Sequence, residues 1–209
     1  MKAIILAGGL GTRLGSMTEK IPKPMVKINN KPIIWHIMSI YSKFGINDFI
    51  VALGYRGDII KDYFKNYKEY SSNLKINLDS NKIEYIDYNP KNWNITLIDT
   101  GNDTMTGGRL KRLEKYIDDK DFLLTYGDGL SNVDIGELIK FHKSNSKIAT
   151  VTAVRPKARF GELIIENKIV KSFKEKPNLD RGWINGGFFV FNRKIFQYID
   201  NDSIDLEGE

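Results

Sequence analysis

Short apolar runs alternate along the chain with segments of helical period. Residues 2–7, 49–53, 122–126 and 148–154 are brief, nearly continuous in apolar character and bounded by glycine or charge, which predicts buried strands. Between them Ile33, Ile34, Ile37, Met38, Tyr41 and Phe44 recur at helical spacing, as do Ile59, Ile60, Tyr63, Phe64 and Tyr67. Shorter helical stripes run through Leu110, Leu113 and Ile117 and through Ile135, Leu138 and Ile139. Asp134 with Glu137 three positions on is a capping-box pattern at the start of the last stripe. This alternation predicts an α/β fold, a mostly parallel sheet with helices on both faces.

Residues 74–98 alternate more, as in Lys82-Ile83-Glu84-Tyr85-Ile86, and read as antiparallel or edge strands. Residues 162–165, 169–173 and 186–191 are strand-like again, and Ile195, Phe196 and Ile199 suggest a helix. The polar stretch from Asp200 to Glu209 shows no further packed element. With no internal repeat, low-complexity tract or linker, residues 1–209 read as a single domain.

Composition narrows the chemistry. Of 209 residues, 41% are hydrophobic and 28% charged, which suits a soluble globular chain. The absence of cysteine excludes disulfides, thiolate zinc sites, iron–sulfur clusters and cysteine nucleophiles. Two histidines, His36 and His142, argue against a polyhistidine metal site or a Ser-His-Asp triad. His36 reads as a packing or surface residue, and His142 as a favourable residue at a helix C-terminus. No apolar run approaches the ~18 residues of a membrane span, and the apolar start is too short for a signal peptide. The expected location is cytoplasmic. The net charge of +6 is scattered among acids, without a basic run or a nucleic-acid module, so neither nucleic acid nor membrane is an expected partner.

Gly8-Gly9-Leu10-Gly11-Thr12-Arg13-Leu14 directly follows the first strand. Three glycines in four positions let backbone N–H groups converge on phosphate oxygens, and Arg13 adds a permanent charge. A tight turn is the plainer reading of the same glycines. The P-loop pattern G-x-x-x-x-G-K-[ST] is absent, and the dinucleotide fingerprint fails at Leu14. Lys20-Ile21-Pro22-Lys23-Pro24-Met25 follows, where two prolines fix the backbone around Lys23. Asp128, in Tyr126-Gly127-Asp128-Gly129, stands at the carboxyl end of a predicted strand, where an open α/β sheet places ligands. Carboxylate plus phosphate oxygens is the ligand set Mg²⁺ favours.

Together, the glycine-rich loop and the Pro22-Lys23-Pro24-Met25 segment resemble the signature of the sugar-1-phosphate nucleotidylyltransferases, and the resemblance extends over nearly the whole chain. Residues 31–38, Asp99-Thr100-Gly101, residues 105–112, 125–129 and 183–189 resemble the cytidylyl-transferring branch. The resemblance implies a Rossmann-like, three-layer, mixed and mostly parallel sheet of the nucleotide-diphospho-sugar transferase type, plus small antiparallel strands. It implies CTP and glucose 1-phosphate as substrates, Mg²⁺ as cofactor and a homo-oligomer as the assembly.

Residue by residue, it places Leu6, Ala7, Gly8, Gly9, Gly11, Thr12 and Arg13 around the triphosphate, with Arg13 neutralising the departing pyrophosphate. Lys23 would sit on the phosphates, Asp128 would bind the metal, and Thr104 through Arg109, with Gly127, would contact the nucleotide. Gly107 and Gly108 would let backbone approach the base, although the same residues also read as an anion-favouring helix N-terminus. Gly161, Glu175, Lys176 and Asn185 would line the sugar-phosphate pocket. No nucleophilic side chain is required, because the sugar phosphate supplies the attacking oxygen. The family's second metal-binding aspartate has no counterpart within these residues, so the C-terminal part of the family domain is expected to be missing. The alternatives are a nucleotidylyltransferase for another sugar phosphate or base, and an inactive nucleotide-sugar-binding protein.

Overall fold

The computed structural model describes residues 1–9, 21–155, 162–174 and 182–208. The strands are β1 Ala3–Leu6, β2 Lys27–Ile28, β3 Lys31–Pro32, β4 Asp48–Leu53, β5 Asn73–Asn77, β6 Lys82–Ile86, β7 Asn94–Asp99, β8 Asp121–Tyr126, β9 Ala149–Val154, β10 Glu162–Glu166, β11 Ile169–Lys174 and β12 Ile184–Asn192. The helices are α1 Ile33–Ser42, α2 Gly57–Lys65, α3 Tyr67–Tyr70, α4 Thr106–Arg112 and α5 Ile135–Asn145.

Six strands form one sheet in the order β7-β4-β1-β8-β12-β9. β7, β4, β1 and β8 are parallel, and β12 is antiparallel to both of its neighbours. Side chains of β1 alternate between two cores, as the two-residue period of a strand requires. Ala3 and Ile5 join Ile34, Ile37, Met38 and Tyr41 of α1, Ile60 of α2 and Ile135 of α5. Ile4 and Leu6 join Leu110 of α4, Leu113, Ile117, Phe196 and Ile199 on the other face. Two buried cores on opposite faces of one mixed sheet make the three-layer α/β architecture.

Asp134 caps α5 by accepting from the Glu137 N–H at 2.9 Å. β7 is a parallel edge strand of the main sheet, whereas β5–β6 and β10–β11 are separate antiparallel hairpins. The third helical stripe ends early: α4 stops at Arg112 and a single 3₁₀ turn, Glu114–Tyr116, follows. Ile195 and Phe196 likewise lie on a 3₁₀ helix, Arg193–Tyr198. His36 Nε2 donates to the Ile28 carbonyl at 2.9 Å. His142 lies in the last turn of α5 but is buried, with Nδ1 2.8 Å from Thr150 Oγ1.

Residues 202–207 correct one expectation, since they pack back over α4. Met105 N–H donates to Asp202 O at 2.9 Å, and the Gly107 and Gly108 N–H groups donate to Ile204 O at 2.9 and 3.3 Å. Thr106 Oγ1 donates to Asp205 Oδ1 and accepts from the Leu206 N–H. A Cβ on Gly107 would lie 2.7 Å from Ile204 O, and one on Gly108 2.4 Å from Asp202 O. The two glycines therefore admit a polypeptide strap, and the strap, not a base or an anion, takes their N–H groups.

Candidate active site

β1 connects to one side of the sheet through α1 and β4, while β8 pairs on its other side. Strand order reverses there, and an α/β sheet opens a crevice at the carboxyl ends flanking such a point. The cleft at that place is lined by Leu6, Ala7, Gly8, Gly9, Lys23, Pro24, Thr106, Arg109, Tyr126, Gly127 and Asp128. Sequence positions from 6 to 128 thus converge on one opening. Lys23 comes from the short turn Lys23–Met25, whose Pro24 is buried beside Gly127. Its Nζ is 3.4 Å from Asp128 Oδ2, and both side chains keep access to solvent.

Arg109 lines the same cleft from below. Nη1 donates to Leu53 O, Thr100 Oγ1 and Gly101 O, and Nη2 donates to Gly8 O and Asn102 O. The residue is 4% exposed, so these protein atoms are what satisfy it. Burial, and then the neighbouring Arg112, draw its pKa below the usual guanidinium value. The side chain ties the glycine loop to the ends of β4 and β7. A Cβ on Gly8 would sit 2.2 Å from Arg109 Nη1, so the glycine makes room for this anchor.

Thr104 is not in the cleft lining; it is buried, with its hydroxyl donating to Thr100 O at 2.6 Å. Asn185 stands on β12, where its Nδ2 donates to Glu207 and its Oδ1 accepts from the Gly187 N–H. Gly11, Thr12, Arg13, Gly161, Glu175 and Lys176 lie outside the described residues. Of the segment 104–109 the cleft takes Thr106 and Arg109, and the structure adds Pro24 and Tyr126 to the lining. Tyr126 had a visible signal, its place beside Gly127 and Asp128. The Tyr126 phenol donates to Glu207 Oε1 at 2.8 Å, and burial followed by that carboxylate holds its pKa above the ordinary tyrosine value.

Asp128 is the carboxylate suited to a metal. It is half exposed and lines the cleft together with Gly8 and Gly9. Among the described residues, no group of three or more metal-ligating side chains occurs. One carboxylate completed by substrate phosphates and water is how Mg²⁺ is commonly held, so the donor set fits that ion and does not suit an all-protein metal cage. Among the described residues, no helix is long and apolar enough to cross a membrane.

Gly8 and Gly9 at the end of β1, a lysine and a carboxylate thus meet at the reversal of strand order, where an α/β sheet places ligands. Residues 2–208 match the family described as Nucleotidyl transferase, and the chain belongs to it. The glucose-1-phosphate cytidylyltransferase of Salmonella typhi is 52% identical, covering 100% of this chain and 82% of that protein. The D-glycero-alpha-D-manno-heptose 1-phosphate guanylyltransferase of Campylobacter jejuni is 35% identical over 94% of this chain and 78% of its own length. Among solved structures, HddC from Yersinia pseudotuberculosis superposes with a TM-score of 0.69 at 30% identity, covering 99% of this chain and 83% of that one.

Proposed function

We propose that the chain transfers a cytidylyl group from CTP to α-D-glucose 1-phosphate, giving CDP-glucose and pyrophosphate. The observation that carries this reading is the convergence of Gly8, Gly9, Lys23 and Asp128 on one cleft in a chain 52% identical to a glucose-1-phosphate cytidylyltransferase. A phosphate oxygen of the sugar phosphate attacks the α-phosphorus of CTP. The bond between that phosphorus and the bridging oxygen to the β-phosphate breaks, and pyrophosphate departs with the electron pair.

Such a displacement needs alignment and fixed positive charge more than a side-chain nucleophile. The backbone of Ala7–Gly9 cradles phosphate oxygens. Lys23 places an ammonium over the phosphates, and its present partner Asp128 keeps it aimed into the cleft. Arg13 neutralises the pyrophosphate, and Gly127 leaves room for the nucleotide. Asn185, with Gly161, Glu175 and Lys176, binds the sugar phosphate. Asp128 with the substrate's phosphate oxygens would hold Mg²⁺, which supplies charge neutralisation along the triphosphate. The chain acts in the cytoplasm as a homo-oligomer.

The test is pyrophosphate release with Mg²⁺, glucose 1-phosphate and CTP, with UTP, dTTP and GTP in parallel. Release fastest with CTP is expected. Faster release with another base overturns the nucleotide assignment, and release with none of the four overturns the reading of this chain as a cytidylyl-transferring enzyme.

A further inference from the structure

The strap formed by residues 202–207 reaches from the start of α4 to the far wall of the cleft. Its near end is pinned by backbone hydrogen bonds to Met105, Gly107 and Gly108 and by the Thr106 hydroxyl, and Thr106 itself lines the cleft. Its far end delivers Glu207. A single oxygen of that carboxylate, Oε1, accepts from the Tyr126 phenol on β8 and from the Asn185 amide on β12. The other end of the same amide, Asn185 Oδ1, accepts from the Gly187 N–H at 2.7 Å. Asn185 is therefore held at both ends, and rotation of its amide would cost both bonds. Tyr126 is held as well, by its hydroxyl and by an edge contact to Phe189 with ring centroids 5.8 Å apart.

Asn185 is solvent-exposed, and an exposed amide with one tie samples several rotamers that a ligand must restrict on binding. The second tie removes that cost in advance. We propose that Glu207 is a positioning residue for the sugar-bearing half of the cleft: by fixing the Asn185 amide and the Tyr126 phenol it sets affinity for nucleotide sugars over the sugar-free nucleotide. This rests on the reading that Asn185 belongs to the sugar-phosphate pocket.

The experiment compares the intact chain with Glu207→Ala and Glu207→Gln. Calorimetric titration with CDP-glucose and with CMP separates the sugar-bearing half from the nucleotide half, and UDP-glucose with UMP runs in parallel. The side-chain amide signals of Asn185, assigned by their loss in Asn185→Asp, report the contact without any ligand.

Glu207→Ala is expected to shift those amide signals and to weaken CDP-glucose about 3- to 10-fold more than CMP, the value of one or two oriented hydrogen bonds. Glu207→Gln keeps a carbonyl oxygen that accepts both bonds and should restore most of the difference. An unmoved Asn185 amide, equal weakening of CDP-glucose and CMP, or failure of Gln to restore binding each overturns the proposal. If the uridine pair binds better than the cytidine pair, the base assignment falls, and the ratio of UDP-glucose to UMP decides the role of Glu207. If no nucleotide binds, the amide signals decide it.

Discussion

Arg109 and Lys23 face the same cleft from opposite kinds of surroundings. The guanidinium is buried and makes five hydrogen bonds, four to backbone carbonyls and one to a hydroxyl. Among the described residues the ammonium pairs with Asp128, and it stays in touch with water. A cation whose donors are committed to fixed carbonyls cannot turn to a ligand without giving up those bonds. A cation with one partly exposed carboxylate partner can exchange it at little cost, because such a pair is worth only ~0–1 kcal/mol. Charge near a phosphate site is therefore a poor guide to chemistry until the partners of each charge are known. Here the separation runs between a locked base at the ends of β1, β4 and β7 and a rim in which the Lys23–Asp128 pair can exchange while Glu207 holds Tyr126 and Asn185.

The contrast breaks first at Arg109. Arg109→Ala takes the guanidinium donors from the Gly101 and Asn102 carbonyls, leaves those of Gly8 and Leu53 to their Tyr55 and Thr100 partners, and should cost about 3 kcal/mol or more in urea unfolding. If stability holds and only nucleotide affinity falls, Arg109 belongs to the rim. Asp128→Asn should do the reverse. Turnover is expected to fall about 100-fold, in line with losing one electrostatic group at a transferring phosphoryl centre, while the unfolding midpoint barely moves. A large loss of stability with unchanged turnover would place Asp128 with the locked base.

Gly108→Ala tests the strap on which the rim depends. Its Cβ would press on the Asp202 carbonyl, and overpacking of this kind costs ~1–3 kcal/mol, read as a lower thermal midpoint with faster proteolysis at residues 202–207. Asp202→Asn should be the mildest. The Arg112 hydrogen bond holds the Asp202 carboxyl below its ordinary pKa. A pKa lower in the folded state contributes stability above the unfolded carboxylate value of ~3.9, and that contribution is lost as pH falls through the folded value. Stability followed on acidification should thus decline slightly less steeply in Asp202→Asn than in the parent.

Much of the fold was legible because it follows from local period. The apolar runs at residues 49–53 and 122–126 correspond to β4 and β8, and the stripe from Ile33 is α1. The Asp134 cap was readable from a three-residue spacing. What escaped was long-range pairing. The type and position of Arg109 point to a phosphate, while its partners Leu53 and Gly8 lie 56 and 101 positions away. Gly107 and Gly108 suggest room for a base, but only the folded chain shows Asp202 and Ile204 filling it. Glu207 carries no local signal, because its meaning comes from Tyr126 and Asn185.

The strap also bears on the order in which the molecule matures. The first N–H groups of a helix have no partner within it, and for α4 the Asp202 and Ile204 carbonyls supply acceptors. Thr106 and Asp205, which close the same contact, are 99 positions apart. Contacts of such separation form late, because loop closure must precede any gain from them. During synthesis β1, β4, β7 and β8 can pair before residue 202 leaves the ribosome, yet the start of α4 stays unfinished until that residue arrives. The Thr106 side of the cleft should then acquire its final shape last, and a nascent chain arrested before residue 202 would expose three amide donors beside a nearly complete sheet.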